Sequence, residues 1–308
     1  KGTLTVEGST FSGNFVATGA TSINDSAFSY ASITGPGSVL NSKFSILELG
    51  TINATVDEVE TSKLSFSGNA NFANIGKITI TGTDAIVLNN AAGDNIRNML
   101  FDGGTVTITA ENAYLTYTGT ITGENIISAT YGISAYKFHY VTVASGATIR
   151  ATGEYLSGCF NSIYGTVEIN GGAYVLSYAD GRHYVTTVKN GGKMQIQNAK
   201  LTRDNSFSWS YIKVEAGGSL NLDGVESEYA NDDKIIAIEE NANASIKNSS
   251  FNSRIECKGT LTVEGSTFSG NFVATGTGSI SNSSFCELTL SGNGMNLSNV
   301  STKQIVVY

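Results

Sequence analysis

A chain of 308 residues with 40% hydrophobic side chains has material for a large core and too much of it for a disordered polymer. Charged residues make up 14%, against roughly 25% in ordinary soluble domains, and 35 Gly accompany a single Pro; this composition disfavours helices and suits short strands joined by tight turns. The net charge of −8 gives no reason to expect nucleic acid or an anionic membrane as partner, and no run of about 18 apolar residues is present to span a bilayer.

The chain begins with KGTLTVEGSTFSGNFVATG, Lys1 to Gly19, and the same nineteen letters return at Lys258 to Gly276, 257 positions later. Agreement continues more loosely: Ser22 to Phe28 lines up with Ser279 to Phe285 without a gap. A long self-similar period is the mark of a repeat architecture. The expected organisation is one continuous solenoid over 1–308, in which 1–257 form one long unit and 258–308 begin the next. Phe268 then takes the place of Phe11.

A smaller repeat sits inside the large one. Two or three alternating β-residues lead to a Gly, then to another alternating strand, then to a polar stretch closed by an aromatic. Gly2, Gly19, Gly35 and Gly50 mark it first; Gly119, Gly146, Gly171, Gly191 and Gly217 continue it at wider gaps, and Gly259, Gly276 and Gly292 resume it. Short strands with period-2 alternation, Gly turns and no helical stretch between them predict an all-β fold. The expected form is a right-handed parallel β-helix of the single-stranded type (a β-solenoid) with rungs of about 16–25 residues. Val, Ile, Leu and Phe point inward, Thr, Ser, Asn and Lys outward, and Gly supplies positive φ at the corners. Asn14, Asn24, Asn41, Asn69, Asn248 and Asn282 recur near the corners. They either stack as an amide ladder or serve because Asn tolerates turn conformations.

Between about 124 and 240 the rungs lengthen and aromatics gather. Tyr140, Tyr164, Tyr184 and Tyr211 each precede a short β-rich run, which predicts one vertical column; Tyr131, Tyr155, Tyr178 and Tyr229 fall in the loops before them. Two readings stand. The aromatics pack the longer loops onto the core, or they form a face that stacks on a glycan or protein ligand. On the second reading the candidate binding residues are Tyr178, Arg182, Tyr184, Trp209 and Tyr211. His139 and His183 each stand one residue before a Tyr of that column. No zinc, calcium-repeat, phosphate-loop or nucleophile-elbow motif is present, so neither metal nor cofactor is expected. Polysaccharide cleavage would need carboxylates on one face, and the only candidates are Asp180-Gly181-Arg182-His183, Arg203-Asp204 and Asp232-Asp233. These stand at different distances from the Gly anchors, and the chain is expected not to be an enzyme. Cys159, Cys257 and Cys286 read as small buried hydrophobes.

The segments VTVASGATI (141–149), GTVEINGGAYV (165–175), VKNGGKMQIQNAKL (188–201) and VEAGGSLNLDG (214–224) resemble the degenerate VxxGGxxxV repeats of bacterial autotransporter passenger domains and related β-helical surface adhesins. The FSGN tetrapeptides at Phe11, Phe66 and Phe268 are similar to the FxxN repeats of polymorphic outer-membrane proteins, whose GGA-aliphatic partner motif is matched only by Gly171-Gly172-Ala173-Tyr174. The resemblance implies a secreted or surface-displayed bacterial segment, extracellular in location, that attaches cells to glycans or proteins of a host or bacterial surface. It also implies an internal piece of a larger protein, since no membrane-inserting barrel is present. Two alternatives remain: a polysaccharide-binding or polysaccharide-cleaving β-helix, and a self-assembling fibre unit that associates through its solenoid ends.

Overall fold

The computed structural model describes residues 2–50, 53–66, 71–75, 77–81, 86–88, 105–108, 115–117, 119–129, 136–152, 155–176, 185–203, 210–227, 233–291 and 294–308. Every element among them is a β-strand, and the pairings between rungs are parallel. The chain is an all-β parallel solenoid. It divides into two compact units, Lys1–His139 with Ala147–Tyr155, and Tyr140–Gly146 with Leu156–Tyr308.

In the first unit one sheet runs Leu4–Glu7, Thr21–Asn24, Gly37–Leu40, Asn53–Asp57, Asn71–Ile75. Beside it run Thr10–Ala17, Ala27–Ile33, Lys43–Leu49 and Val59–Phe66. Stacking brings like residues together. Phe11, Phe28 and Phe44 stand in one register, with parallel rings 4.9 and 5.1 Å apart.

Among the described residues of the second unit the strands stack in three sheets. The first contains Thr166–Asn170, Lys193–Gln197, Ser219–Asp223, Asn243–Lys247, Thr260–Glu264 and then 277–281. The second contains Ala173–Leu176, Lys200–Arg203, Glu226–Ser227, Ser250–Phe251 and then 267–268. The third contains Val185–Val188, Tyr211–Val214, Lys234–Ile238, Arg254–Cys257 and then 272–274. Their inward columns form the core: Met194, Leu220 and Leu261; Ile196, Leu222, Ile246 and Val263; Val188, Val214, Ile238 and Cys257 are all buried.

Between the first and second sheets the chain turns through one residue in the left-handed region. Asn41, Asn198, Asn248, Asn282 and Asn299 have φ of 47° to 52° there, Asp25 has 48°, and Gly8, Gly224 and Gly265 take the same place. Asn and Asp are the non-Gly residues for which this conformation costs least. Each corner N–H points to the next rung: Gly224 N donates to Lys247 O, Asn248 N to Glu264 O, Gly265 N to Ser281 O. The Asn side chains also pair, Asn41 Nδ2 with Asn24 Oδ1 at 3.0 Å and Asn299 Nδ2 with Asn282 Oδ1 at 2.8 Å. Both roles weighed for Asn therefore operate at once. Asn69 lies outside the described residues.

The residue after the corner is a serine at six corners, buried at five of them (Ser26, Ser42, Ser249, Ser266, Ser283) and half-buried at Ser9. Each hydroxyl donates to its own chain two residues back, and at the five buried positions it accepts an N–H from the rung before. Ser249 N reaches Ser266 Oγ at 3.1 Å, and Ser266 N reaches Ser283 Oγ at 3.1 Å. In the first unit Ser9 N reaches Ser26 Oγ and Ser26 N reaches Ser42 Oγ, each at 3.1 Å. The local sequence is thus a left-handed residue, Ser, an outward residue, then an inward Phe.

The anchoring glycines Gly35 and Gly276 differ from expectation. Their φ is not positive; they are needed because the rung beneath passes too close for a Cβ, which would strike Gly19 O and Gly259 O respectively. Cys159 and Cys257 are buried as expected, but Cys286 is only half-buried.

Candidate functional site

The third sheet of the second unit presents an outward face around Tyr211. Within Tyr211–Val214, Ile212 and Val214 point into the core, leaving Tyr211 and Lys213 outside. Tyr211 is half-buried, and Lys234 Nζ from the next rung lies 4.9 Å from its ring centroid, a cation–π geometry. Lys234 also pairs with Glu256 at 3.2 Å, and Arg254 Nη2 with Glu256 at 2.7 Å. At the adjoining corner Glu215 receives Lys189 at 3.0 Å and Lys213 at 3.4 Å. Partial burial pushes the Glu215 carboxyl up, but the hydrogen bonds and charges of Lys189 and Lys213 outweigh it and hold its pKa below the ordinary carboxylate value.

Of the residues proposed to bind, only Tyr211 falls among the described residues; Tyr178, Arg182, Tyr184 and Trp209 lie outside them, as do Asp180, His183, Asp204 and Asp232. The expected Tyr column is broken at Tyr164. Tyr211 is in register with Val185, and Tyr184 lies outside the described residues. Tyr164 N donates to Val143 O as Lys189 N does to Ile163 O and Glu215 N to Val188 O, so Tyr164 belongs to the corner column of Lys189 and Glu215. The reason is geometric: the run after Tyr164 enters the first sheet, whereas Val185–Val188 and Tyr211–Val214 lie in the third. Arg203 and Asp233 do come together from neighbouring rungs at 3.8 Å, but the Arg203 side chain is fully buried. The pair runs from the interior at Arg203 to a half-buried carboxylate at Asp233.

A second surface was not read from the sequence. Each unit carries a groove on the same part of the nineteen-residue repeat. In the first unit it has a volume of about 380 Å³ and is lined by Thr10, Phe11, Ser12, Phe28, Ser29 and Phe44, with Lys43 and Glu60 at its margin. In the second it has about 400 Å³ and is lined by Thr267, Phe268, Ser269, Phe285, Cys286 and Thr302. Phe11 and Phe268, Ser12 and Ser269, Phe28 and Phe285 are equivalent pairs. The Phe rings beneath are buried or, at Phe11, half-buried, and the outward Thr and Ser hydroxyls line the groove, an arrangement suited to a ligand that presents hydrogen-bonding edges. Beside it Phe11-Ser12-Gly13-Asn14 and Phe268-Ser269-Gly270-Asn271 each hold an extra residue, with a register shift against the following rung. The signal for this groove was the recurrence of Ser-x-Phe after each corner.

No protein family matches the chain, and no curated protein matches it. Among solved structures, it is similar to the crystal structure of a TibC-catalyzed hyper-glycosylated TibA55-350 fragment, at 14% identity over 99% of this chain and 95% of that one, with a TM-score of 0.27. A likeness of that size adds nothing to the parallel solenoid that the strand pairings establish.

Proposed function

We propose that this chain is a non-catalytic structural and adhesive segment of a larger bacterial surface protein, attaching to surface glycans or proteins from the extracellular side. One observation carries the reading: the same nineteen residues build the same corner, serine ladder, bulge, Phe stack and groove twice. A catalytic site needs one unique constellation, whereas attachment gains from identical weak sites presented together. The VxxGGxxxV-like repeats, with their resemblance to adhesin passengers, support the same class. The grooves are the attachment sites in this reading, and the charged, tyrosine-bearing face around Tyr211 is the other surface with the chemistry to take part.

The test is retention of the 308-residue chain on immobilised polysaccharides and cell-surface glycoproteins, with released reducing ends assayed in the same wells. Retention without release is expected. Release of reducing ends would overturn the reading in favour of a polysaccharide-cleaving β-helix.

A further inference from the structure

The groove of the first unit is lined by Ser12, Ser29, Ser45, Ser62 and Thr81, which come from five rungs. Phe11 pairs with Phe28, and Ser12 and Ser29 follow them. Phe28 pairs with Phe44 and Tyr30 with Ile46, so Ser29 faces Ser45. Phe44 pairs with Thr61 and Ile46 with Lys63, so Ser45 faces Ser62. Ser62 Oγ in turn lies 3.4 Å from Thr81 Oγ1. The groove thus offers one hydroxyl per rung along the stacking direction, at the strand spacing of about 4.8 Å. Ser12, Ser29 and Ser45 are exposed, and Ser62 and Thr81 are half-buried. Charge in the lining is confined to Lys43 and Glu60, which cancel each other at 3.2 Å. In the second groove the same column reads Ser269, Cys286 and Lys303, so the unbroken row belongs to the first.

Resting on the reading of this groove as an attachment site, we infer that its ligand is an uncharged, extended glycan of β-1,4-linked hexoses, lying along the stacking direction with one sugar to each rung. A β-1,4 linkage draws the chain out, so that each sugar advances about as far as one rung does. The chain then brings a hydroxyl edge to the protein at every step. Sugar hydroxyls donate and accept, and so do those of Ser and Thr, so each rung can satisfy its sugar whichever way the proton points. Other polymers do not keep this step. An extended peptide advances about 3.3 Å per residue, and its like-facing side chains recur at twice that. An anionic polymer needs cations left over to hold it, and Lys43 is already matched by Glu60. A hexose chain joined by α-1,4 bonds coils away from the row after a few sugars.

The test titrates the full chain with soluble β-1,4-linked oligomers of glucose, of N-acetylglucosamine and of mannose, two to six sugars long. Oligomers of α-1,4-linked glucose are the coiled control. In at least one β-1,4 series each added sugar, up to the fifth, tightens binding by roughly two- to tenfold, the worth of one neutral hydrogen bond. The control gains nothing with length. Ser29→Val with Ser45→Val removes the two hydroxyls in the middle of the row and abolishes the gain beyond two sugars. Ser29→Thr with Ser45→Thr keeps it; Val and Thr have one shape, so the difference between these variants reports the hydroxyls and not the fold. No binding by any of the three series, an affinity flat with length, an equal gain in the control, or a gain that survives the Val pair overturns the inference. Adhesion is judged apart from it: a parent chain retained on some other immobilised polysaccharide or glycoprotein leaves attachment standing while this inference falls, and retention on no surface removes both.

Discussion

The backbone N–H of Ser249 donates to the hydroxyl of Ser266 across 3.1 Å, and Ser266 in turn donates to Ser283 in the same way. Ser266→Ala leaves a buried N–H on the rung below without its acceptor, which costs about 1–3 kcal/mol. Its twin Ser9 has no described rung beneath it, so Ser9→Ala stays within roughly 0.5 kcal/mol of the parent. Urea unfolding of the two variants checks the difference.

Phe268 is stacked between Phe251 at 5.9 Å and Phe285 at 4.8 Å and is 1% exposed. Phe268→Ala opens a cavity among rings that cannot collapse into it, at a cost of about 3–5 kcal/mol. Phe11→Ala removes a ring covered on one side only and costs clearly less. Equal losses in the two variants would contradict the stacking seen here.

Burial raises the thiols of Cys159 and Cys257 to about 11, so at neutral pH both are protonated and shielded. Cys286 is half-buried on the groove wall. A thiol reagent at pH 7.5 is expected to label Cys286 in the folded chain and to reach the other two only after denaturation, as read by peptide mass mapping.

The Glu215 carboxyl is held below its ordinary pKa in the folded chain by Lys189 and Lys213. Its ionised form is thus favoured by folding, and the resulting stability is present above the ordinary carboxylate pKa and lost as pH falls through the lowered one. The melting temperature of the parent exceeds that of Glu215→Gln at pH 7, and the gap closes as pH drops below the carboxylate range. The site is largely solvated, so the gap is small.

Much of the fold was legible because solenoid rungs repeat the same physical demand. Inward Phe at 11, 28 and 44 and Gly at 19 and 35 recur with the rung spacing, and the nineteen-letter repeat fixes its own register. The serine ladder was harder to see, since a Ser after Asn or Gly also fits an ordinary turn; only stacking makes its hydroxyl an acceptor for the neighbouring rung. The Tyr column misled because Tyr164 and Tyr211 precede similar β-rich runs that enter different sheets. Spacing to a strand does not say which face the strand joins. The grooves draw Phe and Ser from three rungs at once, so the recurring Ser-x-Phe records each rung's share but not the groove the rungs make together.

The most direct test of attachment through a repeated site is to fill the grooves one at a time. Ser12→Trp and Ser269→Trp place a ring in the first and second groove, on exposed positions that leave the core intact. Retention on whichever surface glycan or protein holds the parent chain is then measured for each variant and for the pair. The account predicts a partial loss with either substitution and near-complete loss with both, as avidity requires. Retention unchanged in the double variant would contradict it.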